Sequence, residues 1–504
     1  MAFSACASPP PGDASDQSNL TSIPNTAVQD QKETGNCWLY MTAAWAESLH
    51  AAATSDTKLQ FSPAYWNYWD WYEYILIMDT INAGVAAKDK RTKIDWGGTW
   101  EVAVKLANRY GMMPINSFVA DDGADAAAAL ERINASLTTG SLSTPGARAD
   151  KVLVRQALDD AFKLSSDLRS LLTSTFGKDG QRTFDTGATA SGLLIRTQDL
   201  KVRTPRPDQD PLDTTLDKLI TGQRAWKQAY APGQPDARRG TVSTKAGALV
   251  DDEFAKASAT PGFDYEIQRG DTLSTIAQNF GTTVEAIQTA NNISDPNRIV
   301  AGRHLLIPKG SGGSETAEPG SPEPSSPPSG EPGNEVTYPR DPLPHPMNDP
   351  WRAFLRRVQR ALNDGAPLPI SWLSDLVAVD EQGHFTRGFA TKTSFIGWHA
   401  TLLTDYEVTH VPGFGTLRAG VDATEEQKKA ALDDASIVIF LRVKNSWGKA
   451  GPTGKWAEPL AGFNDLDIDY LTQSLSVCPE NQPKDTPCPI TSPLIFDVKL
   501  PAGY

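Results

Sequence analysis

The chain has 504 residues, of which 39% are apolar and 13 are Trp, and its formal charge is −14. That length suffices for two or three domains with hydrophobic cores. The acidic balance argues against a nucleic-acid partner, because binding to a phosphate backbone depends on a basic face. No apolar run reaches the roughly 18 residues that a membrane-spanning helix needs. We therefore expect a globular protein with no transmembrane segment.

The amino-terminal segment, residues 1–25, is rich in Pro, Ser and Asp, and we expect it to be flexible. Cys6 follows Phe3-Ser4-Ala5, which is similar to the end of a bacterial lipoprotein signal. The basic and apolar stretches of such a signal are missing before it. Cys6 is therefore either a lipidated residue, if the start of the chain is truncated, or a surface thiol.

Helical periodicity begins after this segment. Apolar residues recur at helical spacing from residue 39 to 53, directly after a turn that can cap a helix, so Cys37 should stand at a helix amino terminus. The same pattern predicts helices at residues 63–78 and 99–110. Residues 124–230 alternate helical segments with polar turns and carry no chemical motif that we can name.

The composition changes twice in the second half of the chain. Residues 263–308 read as a strand, a Gly-Asp turn, two short helices and a second strand, which predicts a compact βααβ unit. Residues 309–350 are rich in Gly, Ser, Pro and Glu and cannot form a core, so they should be a linker. A helix at 351–362 follows, and buried strands are predicted at 401–404 and 437–444.

Cys37 has the surroundings that a nucleophilic thiol requires. A thiol attacks as thiolate, which a helix amino terminus or a nearby cation stabilises. Gln31, six residues upstream, offers a side-chain amide that can donate to an oxyanion together with the Cys37 backbone N–H. This combination predicts an acyl-transfer site.

A base and its orienting partner lie far along the chain. His399 directly precedes the predicted strand at 401–404, and Asn445 follows the strand at 437–444. Asn445 can hold the imidazole as a neutral partner, and Trp447 can cover the pair from water. Such residues are adjacent in space and not in sequence.

These motifs, in this order, resemble the papain-like cysteine peptidases. Within that family the likeness is to the bleomycin-hydrolase branch, and it covers roughly residues 26–120 and 350–470. The motifs that carry it are Asp30-Gln31-Lys32, Gly35-Asn36-Cys37-Trp38, Phe61-Ser62, Gly97-Gly98-Thr99-Trp100, Asp364-Gly365-Ala366-Pro367, Gly397-Trp398-His399-Ala400 and Asn445-Ser446-Trp447-Gly448.

The resemblance implies an α+β fold with a two-halved papain-like architecture. Residues 26–260 would form the helical half with an extra helical insertion, and residues 351–504 the strand-rich half. The small βααβ domain would be inserted between them, at residues 263–308. The nucleophile and the base would then face each other across the cleft.

The resemblance also implies roles for individual residues. Gln31 would contribute to the oxyanion hole, Cys37 and His399 would form a thiolate–imidazolium pair, and Asn445 would hold the ring. Trp447 joins the substrate-binding candidates. The backbone of two further residues would pair with the substrate chain at the S2 side of the cleft: Gly97 and Gly98. The family implies no cofactor and no metal.

Residues 265–308 resemble a LysM domain over their whole length. The family implies binding to N-acetylglucosamine polymers such as peptidoglycan. The groove would lie between the loops at 270–273 and 297–300, and the binding candidates are Gly270, Asp271, Thr272, Leu273, Asn297 and Ile299. A structural or protein-binding role is the alternative. A sugar-binding insert favours a secreted or bacterial envelope location, whereas the bleomycin-hydrolase branch is typically cytoplasmic.

The remaining cysteines leave alternatives open. Cys478 and Cys488 flank a Pro-rich loop, where they either form a disulfide in an oxidising compartment or remain two reduced thiols.

Thr34 stands where papain has a cysteine, so that family disulfide is missing. The last residues, 499–504, do not match the branch's chain end, which enters the cleft and enforces aminopeptidase action within a hexamer. Endopeptidase and exopeptidase action both stay open.

The sequence thus predicts a cysteine peptidase acting on proteins or peptides. One alternative is a cell-wall hydrolase that cuts peptidoglycan stem peptides, although such enzymes usually lack this set of motifs. Another is a non-enzymatic peptidoglycan-binding protein, which the complete catalytic set disfavours. The histidines other than His399 lack metal-ligand spacing and receive no role: His50, His304, His345, His384 and His410.

Overall fold

The computed structural model describes residues 20–504 with gaps. The gaps are residues 33, 84, 87–89, 95–96, 119–125, 183, 185–191, 233–261, 267–272, 274–283, 285–286, 289–292, 294–303, 309–334, 338–348, 377, 381, 387–395, 450, 452–459 and 479–489. The chain divides into two compact units. The large unit comprises Met1–Gln234, Thr244–Ala246 and Ser326–Tyr504, and the small unit comprises Pro235–Ser243 and Gly247–Ser325.

Helices dominate the first part of the large unit. They are α1 (Cys37–Thr54), α2 (Pro63–Ile81), α3 (Trp100–Tyr110), α4 (Ala126–Thr138), α5 (Pro145–Ala149), α6 (Lys151–Ala161), α7 (Ser166–Phe176) and α8 (Leu216–Ile220). The first three confirm the predicted helices. Polar caps fix two of their starts, because Ser62 accepts from the N–H of Tyr65 at 3.3 Å and Thr99 accepts from the N–H of Val102 at 3.4 Å.

Aromatic side chains fill the core between these helices. Trp69 of α2 stacks on Tyr110 of α3 with ring centroids 3.9 Å apart. Trp45 of α1 contacts Trp100 and Trp226 edge to face, at 5.4 and 5.2 Å. All five rings are buried, so the aromatic-rich helix α2 serves packing.

Strands and a few short helices form the rest. The strands are β1 (Lys201–Arg206), β2 (Gln209–Thr215), β3 (Lys227–Tyr230), β4 (Gly262–Glu266), β5 (His304–Pro308), β6 (Glu335–Thr337), β7 (Leu368–Asp375), β8 (His384–Phe385), β9 (Ile396–Val411), β10 (Gly415–Leu417), β11 (Ile437–Lys444), β12 (Phe463–Asp467), β13 (Ser474–Cys478), β14 (Ile490–Pro493) and β15 (Ile495–Leu500). The later helices are α9 (Asp349–Asn363), α10 (Glu425–Ala430) and α11 (Ile468–Thr472).

One mixed sheet organises the carboxy-terminal part of the large unit. Its strand order is β3-β15-β7-β9-β11-β12-β8, with β10 paired to β9. Neighbours are antiparallel except β12 and β8, which are parallel. The long strand β9 lies between β7 and β11, and α1 packs on it. Helical half and sheet thus meet along β9, as the predicted fold class requires.

The structure differs from the sequence prediction in the range assigned to the helical half. Residues 201–215 form the β1–β2 hairpin, and β3 joins the sheet by pairing with β15. The alternation that marks a strand is present in β1, where Val202 and Thr204 are buried while Lys201 and Arg203 are exposed. The sequence prediction missed this short strand because the residues around it follow a helical pattern.

A second difference concerns the amino-terminal segment, whose residues 1–19 lie outside the described residues. Leu20 and Ile23, expected in a flexible segment, have no solvent-exposed surface. The N–H of Leu20 donates to Asp405 at 3.3 Å, and Thr21 donates to the carbonyl of Thr404 at 2.6 Å. Residues 20–25 are therefore ordered, because their apolar side chains complete the core next to β9.

The small unit contains the predicted flanking strands of the inserted domain. β4 and β5 pair antiparallel, from Gly262 opposite Pro308 to Glu266 opposite His304. Between them, Leu273 and Ile287 are helical and buried. In neither unit is a described helix long and apolar enough to cross a membrane.

A buried ion pair in the sheet gives a stability prediction. Arg442 of β11 donates to both carboxylate oxygens of Asp465 in β12, at 2.7 and 2.9 Å, and both side chains are 4% exposed. Arg442→Met leaves the buried Asp465 carboxylate with the imidazole of His384, which is 42% exposed and has its Nε2 3.4 Å away, as its ion-pair partner. We therefore expect the free energy of unfolding to fall by up to about 3–5 kcal/mol in denaturant titrations. In the double variant Arg442→Met/Asp465→Leu the free energy of unfolding should fall clearly less.

The control is the exposed pair Arg203–Asp213 on the β1–β2 hairpin, which has the same two-bond geometry. Arg203→Met should leave the free energy of unfolding almost unchanged, because water screens both charges. Equal losses at both pairs would contradict the assignment of the sheet interior as a low-dielectric region.

Candidate active site

Cys37 is the first residue of α1, as its sequence context predicts. The carbonyl of Asn36 accepts from the N–H groups of Leu39 and Tyr40, at 2.9 and 3.4 Å, and Thr34 donates to the Asn36 side chain. The helix therefore leaves the N–H groups of Cys37 and Trp38 without an intrahelical acceptor. Both of them lower the pKa of the Cys37 thiol.

The thiol lies against strand β9. The backbone N–H of Ala400, the residue after His399, also lowers the pKa of Cys37. Burial raises the pKa of the Cys37 thiol to about 11, and the three N–H groups act in the opposite direction because they stabilise the thiolate. Cys37 is thus close to the part of β9 that carries His399.

His399 is held by a hydrogen bond and by two rings. Its Nε2 is 2.7 Å from Oδ1 of Asn445, and both side chains are buried. The indole of Trp447 stacks on the imidazole with centroids 4.2 Å apart and planes at 13°, and Trp372 contacts it edge to face at 5.6 Å. Burial lowers the pKa of His399 to about 4, while the bond to Asn445 raises it.

A short pairing between residues 29–31 and 446–448 brings the two chain segments together. The N–H of Gln31 donates to the carbonyl of Ser446 at 2.7 Å, and the N–H of Gly448 donates to the carbonyl of Gln29 at 3.2 Å. Asp30 and Trp447 form an isolated antiparallel bridge. The loop before the nucleophile is therefore fixed directly onto the loop that carries Asn445.

The side chain of Gln31 is oriented within this pairing. Its Oε1 accepts from the hydroxyl of Ser446 at 2.5 Å, so the amide nitrogen points the other way. That nitrogen donates to the carbonyl of Thr34. An amide nitrogen carries two N–H bonds, so the second one can serve an oxyanion next to Cys37.

The two candidate substrate-binding glycines stand where a side chain would be unfavourable. Gly97 has a φ of 123°, a conformation that favours glycine. A Cβ on Gly98 would overlap the indole of Trp38, the residue after Cys37. Glycine at position 98 therefore lets the backbone pack directly on this indole, and substrate binding by the two glycines stays a prediction.

The structure describes only two of the other candidates, Leu273 and Cys478. Gly270, Asp271, Thr272, Asn297 and Ile299 of the proposed glycan groove lie outside the described residues, and so do Cys6 and Cys488. Leu273 is described and is 1% exposed. Cys478 ends β13, opposite Glu335 of β6. The disulfide and the glycan groove therefore stay predictions.

The structure adds a residue that the sequence patterns did not single out. Asn464 of β12 has no exposed surface and accepts from the side chain of Asn445 at 2.7 Å. No local pattern marked this residue, because its neighbours in the short strand are Phe463 and the polar Asp465, and its partner Asn445 lies 19 positions earlier in the sequence. Within the described ranges, no group of three or more His, Cys, Asp or Glu side chains is arranged to hold a metal ion.

Comparisons with known families identify two segments of the chain. Residues 4–144 match the sequence model of the Peptidase C1-like family, and residues 265–308 match that of the LysM domain. The first match includes Gln31, Cys37 and the Gly97-Gly98 pair. The second coincides with the small domain between β4 and β5.

Individual relatives fall into two groups. Aminopeptidase W of Lactobacillus delbrueckii is 25% identical over 220 residues, 42% of this chain and 45% of that protein. Aminopeptidase G of the same species is 29% identical over 103 residues, 19% of this chain and 24% of that protein. N-acetylmuramoyl-L-alanine amidase XlyB of Bacillus subtilis is 30% identical over 116 residues, 23% of this chain and 33% of that protein.

Each of these matches spans less than half of the relative's own length. The crystal structure of PepW from Lactobacillus rhamnosis covers 95% of this chain and 80% of its own, but its TM-score of 0.39 at 13% identity is too low to argue from. The sequence comparisons confirm both resemblances, to the Peptidase C1-like family over residues 4–144 and to the LysM domain over residues 265–308.

Proposed function

We propose that the chain is a cysteine peptidase that hydrolyses peptide bonds through an acyl-enzyme on Cys37. The observation that carries the proposal is the bond from His399 to Asn445, 2.7 Å long and covered by Trp447, next to a thiol at the start of a helix. A buried Cys with only a packing role has no need of an oriented imidazole beside it.

The arrangement supports a two-step acyl transfer. In the first step the sulfur of Cys37 attacks the carbonyl carbon. The backbone N–H of Cys37 and the side-chain N–H of Gln31 stabilise the oxyanion. His399 then passes a proton to the leaving amine, and a thioester remains. In the second step water, deprotonated by His399, attacks the thioester and releases the acid. Asn445 keeps the ring oriented throughout and stays neutral.

The LysM domain supplies the second part of the proposal. We infer that it binds peptidoglycan or another N-acetylglucosamine polymer and holds the peptidase at a bacterial cell wall. The presence of the domain supports this. A secreted or envelope-bound enzyme is the location that such a domain favours. The match to aminopeptidases supports the cytoplasmic alternative less directly, because it covers only parts of those proteins.

A second candidate function is cleavage of peptidoglycan stem peptides, which the amidase relatives favour. XlyA of Bacillus subtilis, an N-acetylmuramoyl-L-alanine amidase, is 49% identical over 43 residues, only 8% of this chain and 14% of that protein. That length is the size of one LysM domain. The relationship therefore supports a shared wall-binding module better than a shared reaction.

The experiment that separates these functions is cleavage of a peptide library with product mass analysis. The library should contain each peptide with a free and with a blocked amino terminus, beside soluble peptidoglycan fragments. We expect peptide cleavage that disappears in Cys37→Ala. Cleavage confined to free amino termini would identify an aminopeptidase. Cleavage of the wall fragments alone would refute the main proposal in favour of the second one.

Gln31 gives a graded kinetic prediction. Gln31→Ala removes an oxyanion donor, so we expect kcat to fall by about 10²–10³-fold with a small change in KM. Ser446→Ala is the matched control, because it removes the hydroxyl bonded to Gln31 and keeps the amide N–H. In the Ser446→Ala control, kcat should fall much less. Equal losses would show that the Gln31–Ser446 contact matters and the donor does not.

The pH dependence of alkylation tests the thiolate–imidazolium pair. Burial raises the pKa of Cys37 to about 11 and lowers that of His399 to about 4, while hydrogen bonds act in the opposite direction on both groups. In His399→Ala the thiol lacks a basic partner, so it should react with iodoacetamide only at strongly alkaline pH. In the wild type, transfer of the thiol proton to His399 places opposite charges side by side, and their attraction lowers the pKa of Cys37 and raises that of His399. The wild type should therefore react at neutral pH.

Alkylation rates of the wild type and of His399→Ala, measured from pH 5 to pH 10, decide whether the resting site holds a thiolate–imidazolium pair. A wild-type profile that rises only above pH 9, like that of His399→Ala, would mean that the resting site holds a neutral thiol beside a neutral imidazole. Proton transfer would then accompany the attack on the substrate.

Deletion of the inserted domain tests whether targeting and catalysis are separate. Replacing residues 262–310 by a short Gly/Ser bridge should leave hydrolysis of soluble peptides within a few-fold, because Cys37 and His399 lie in the large unit. The same deletion should abolish sedimentation with insoluble peptidoglycan, whereas full-length Cys37→Ala should still sediment. Persistent binding without the domain would place the glycan site elsewhere in the chain.

A further inference from the structure

The hydrogen bonds behind Asn445 form a directional relay. Nδ2 of Asn445 donates to Oδ1 of Asn464 at 2.7 Å, and Nδ2 of Asn464 donates to the carbonyl of Gly383 at 2.7 Å. A carbonyl oxygen can only accept, so the amide of Asn464 must turn its nitrogen toward Gly383. Its oxygen then faces Asn445, which must present its own nitrogen.

This relay fixes the proton on the catalytic ring. With its nitrogen toward Asn464, Asn445 presents Oδ1 to His399, and Oδ1 also accepts from the N–H of Ser446 at 2.7 Å. An acceptor at 2.7 Å requires hydrogen on Nε2 of His399. In the neutral ring Nδ1 then carries no hydrogen, and it is the nitrogen left to take the proton of Cys37.

The far end of the relay is itself well anchored. Gly383 has a φ of 87° and donates to the carbonyl of Asp380 at 3.1 Å. The Asp380 carboxylate accepts from the N–H groups of Gln382 and His384, both at 2.9 Å. The turn thus holds the Gly383 carbonyl against Asn464, whose backbone is fixed opposite Val443 of β11.

We propose that Asn464 is a positioning residue for the base: it locks the amide of Asn445 and thereby keeps His399 in the Nε2–H tautomer. The proposal rests on the proposed function, in which Nδ1 receives the proton of the nucleophile. Asn464 touches neither substrate nor thiol. Its loss leaves the buried nitrogen of Asn445 without an acceptor, so that of the bonds orienting the amide beside His399 only the one from the N–H of Ser446 still opposes rotation. A rotated amide would present a donor to His399.

The test uses Asn464→Leu, which has a similar shape and cannot hydrogen-bond. We expect kcat to fall by about 10- to 100-fold with KM within about twofold, because the base is misoriented and substrate contacts are intact. Asn464→Asp keeps an acceptor toward Asn445 and should recover part of the loss. Asn363→Leu is the matched control.

Asn363 of α9 is also buried, accepts from the hydroxyl of Tyr406 at 2.7 Å and donates to the carbonyl of Lys428 at 3.0 Å. Its replacement removes the same kinds of bond and has no connection to His399. We expect Asn363→Leu to lower the melting temperature about as much as Asn464→Leu and to leave kcat unchanged. An equal drop of kcat in both variants would reduce Asn464 to a structural role.

A second readout does not depend on activity. Nitrogen-15 spectra of histidine-labelled protein at alkaline pH report the His399 tautomer in a Cys37→Ala background, with the signal assigned by its absence in His399→Ala. In Cys37→Ala we expect only the tautomer with its hydrogen on Nε2. In the double variant Cys37→Ala/Asn464→Leu we expect a mixture of the two tautomers. An unchanged tautomer with unchanged kcat would overturn the proposal. A changed tautomer in a protein without peptidase activity would uphold the relay and refute the proposed function.

Should Asn464→Leu fail to fold, Asn464→Ser carries the same two measurements. Its hydroxyl is too short to reach both Asn445 and Gly383, so the tautomer mixture and the loss of kcat are again expected. Wild-type values of both in the folded Ser variant would overturn the proposal.

Discussion

The site depends on one short pairing, between residues 29–31 and residues 446–448. Gln31 and Ser446 are joined by a backbone bond of 2.7 Å and a side-chain bond of 2.5 Å across 415 positions of sequence. The first segment leads into Cys37 and the second begins with Asn445. Because the first segment leads to Cys37 and the second carries the partner of His399, any slip of this pairing would displace Cys37 relative to Asn445.

A buried polar cluster supports the same contact from behind. Lys444, the residue before Asn445, donates to the hydroxyl of Thr26 at 2.6 Å, and that hydroxyl donates to Glu47 of α1 at 2.5 Å. Glu47 also accepts from the N–H of Phe61 at 2.8 Å. Burial lowers the pKa of Lys444 to about 8, and the carboxylate of Glu47 opposes that change. Because neither charge can be left unpaired in this interior, the cluster restricts how α1 docks on β11.

Local sequence patterns predicted the helices and strands around the candidate site better than the contacts that join them. Cys37 at a helix start and the strand at 437–444 followed from local periodicity and capping, which a few neighbouring residues determine. His399 was expected just before a strand and lies inside β9, since the strand begins at Ile396. Its place shows that a polar residue can occupy a strand when a stacked ring and an amide satisfy it.

Other features depended on contacts that no local pattern contains. The ordering of Leu20 and Ile23 comes from burial next to β9, and the edge strand β3 exists because β15 offers it a partner. Asn464 is another such feature, since its partners are Asn445, in the loop after β11, and Gly383, in the turn before β8. Composition identified the inserted domain, because a compact unit followed by a Pro-rich linker stands out in any chain.

The central claim is that Cys37 forms an acyl-enzyme with the carbonyl carbon of a peptide. It is tested most directly by intact-protein mass spectrometry after rapid mixing with an activated peptide ester. The account predicts one acyl adduct, located on Cys37 by fragmentation, which decays in wild type as the acid is released and does not form in Cys37→Ala. Peptide hydrolysis without an adduct on Cys37, or an adduct on another residue with the same turnover, would contradict it.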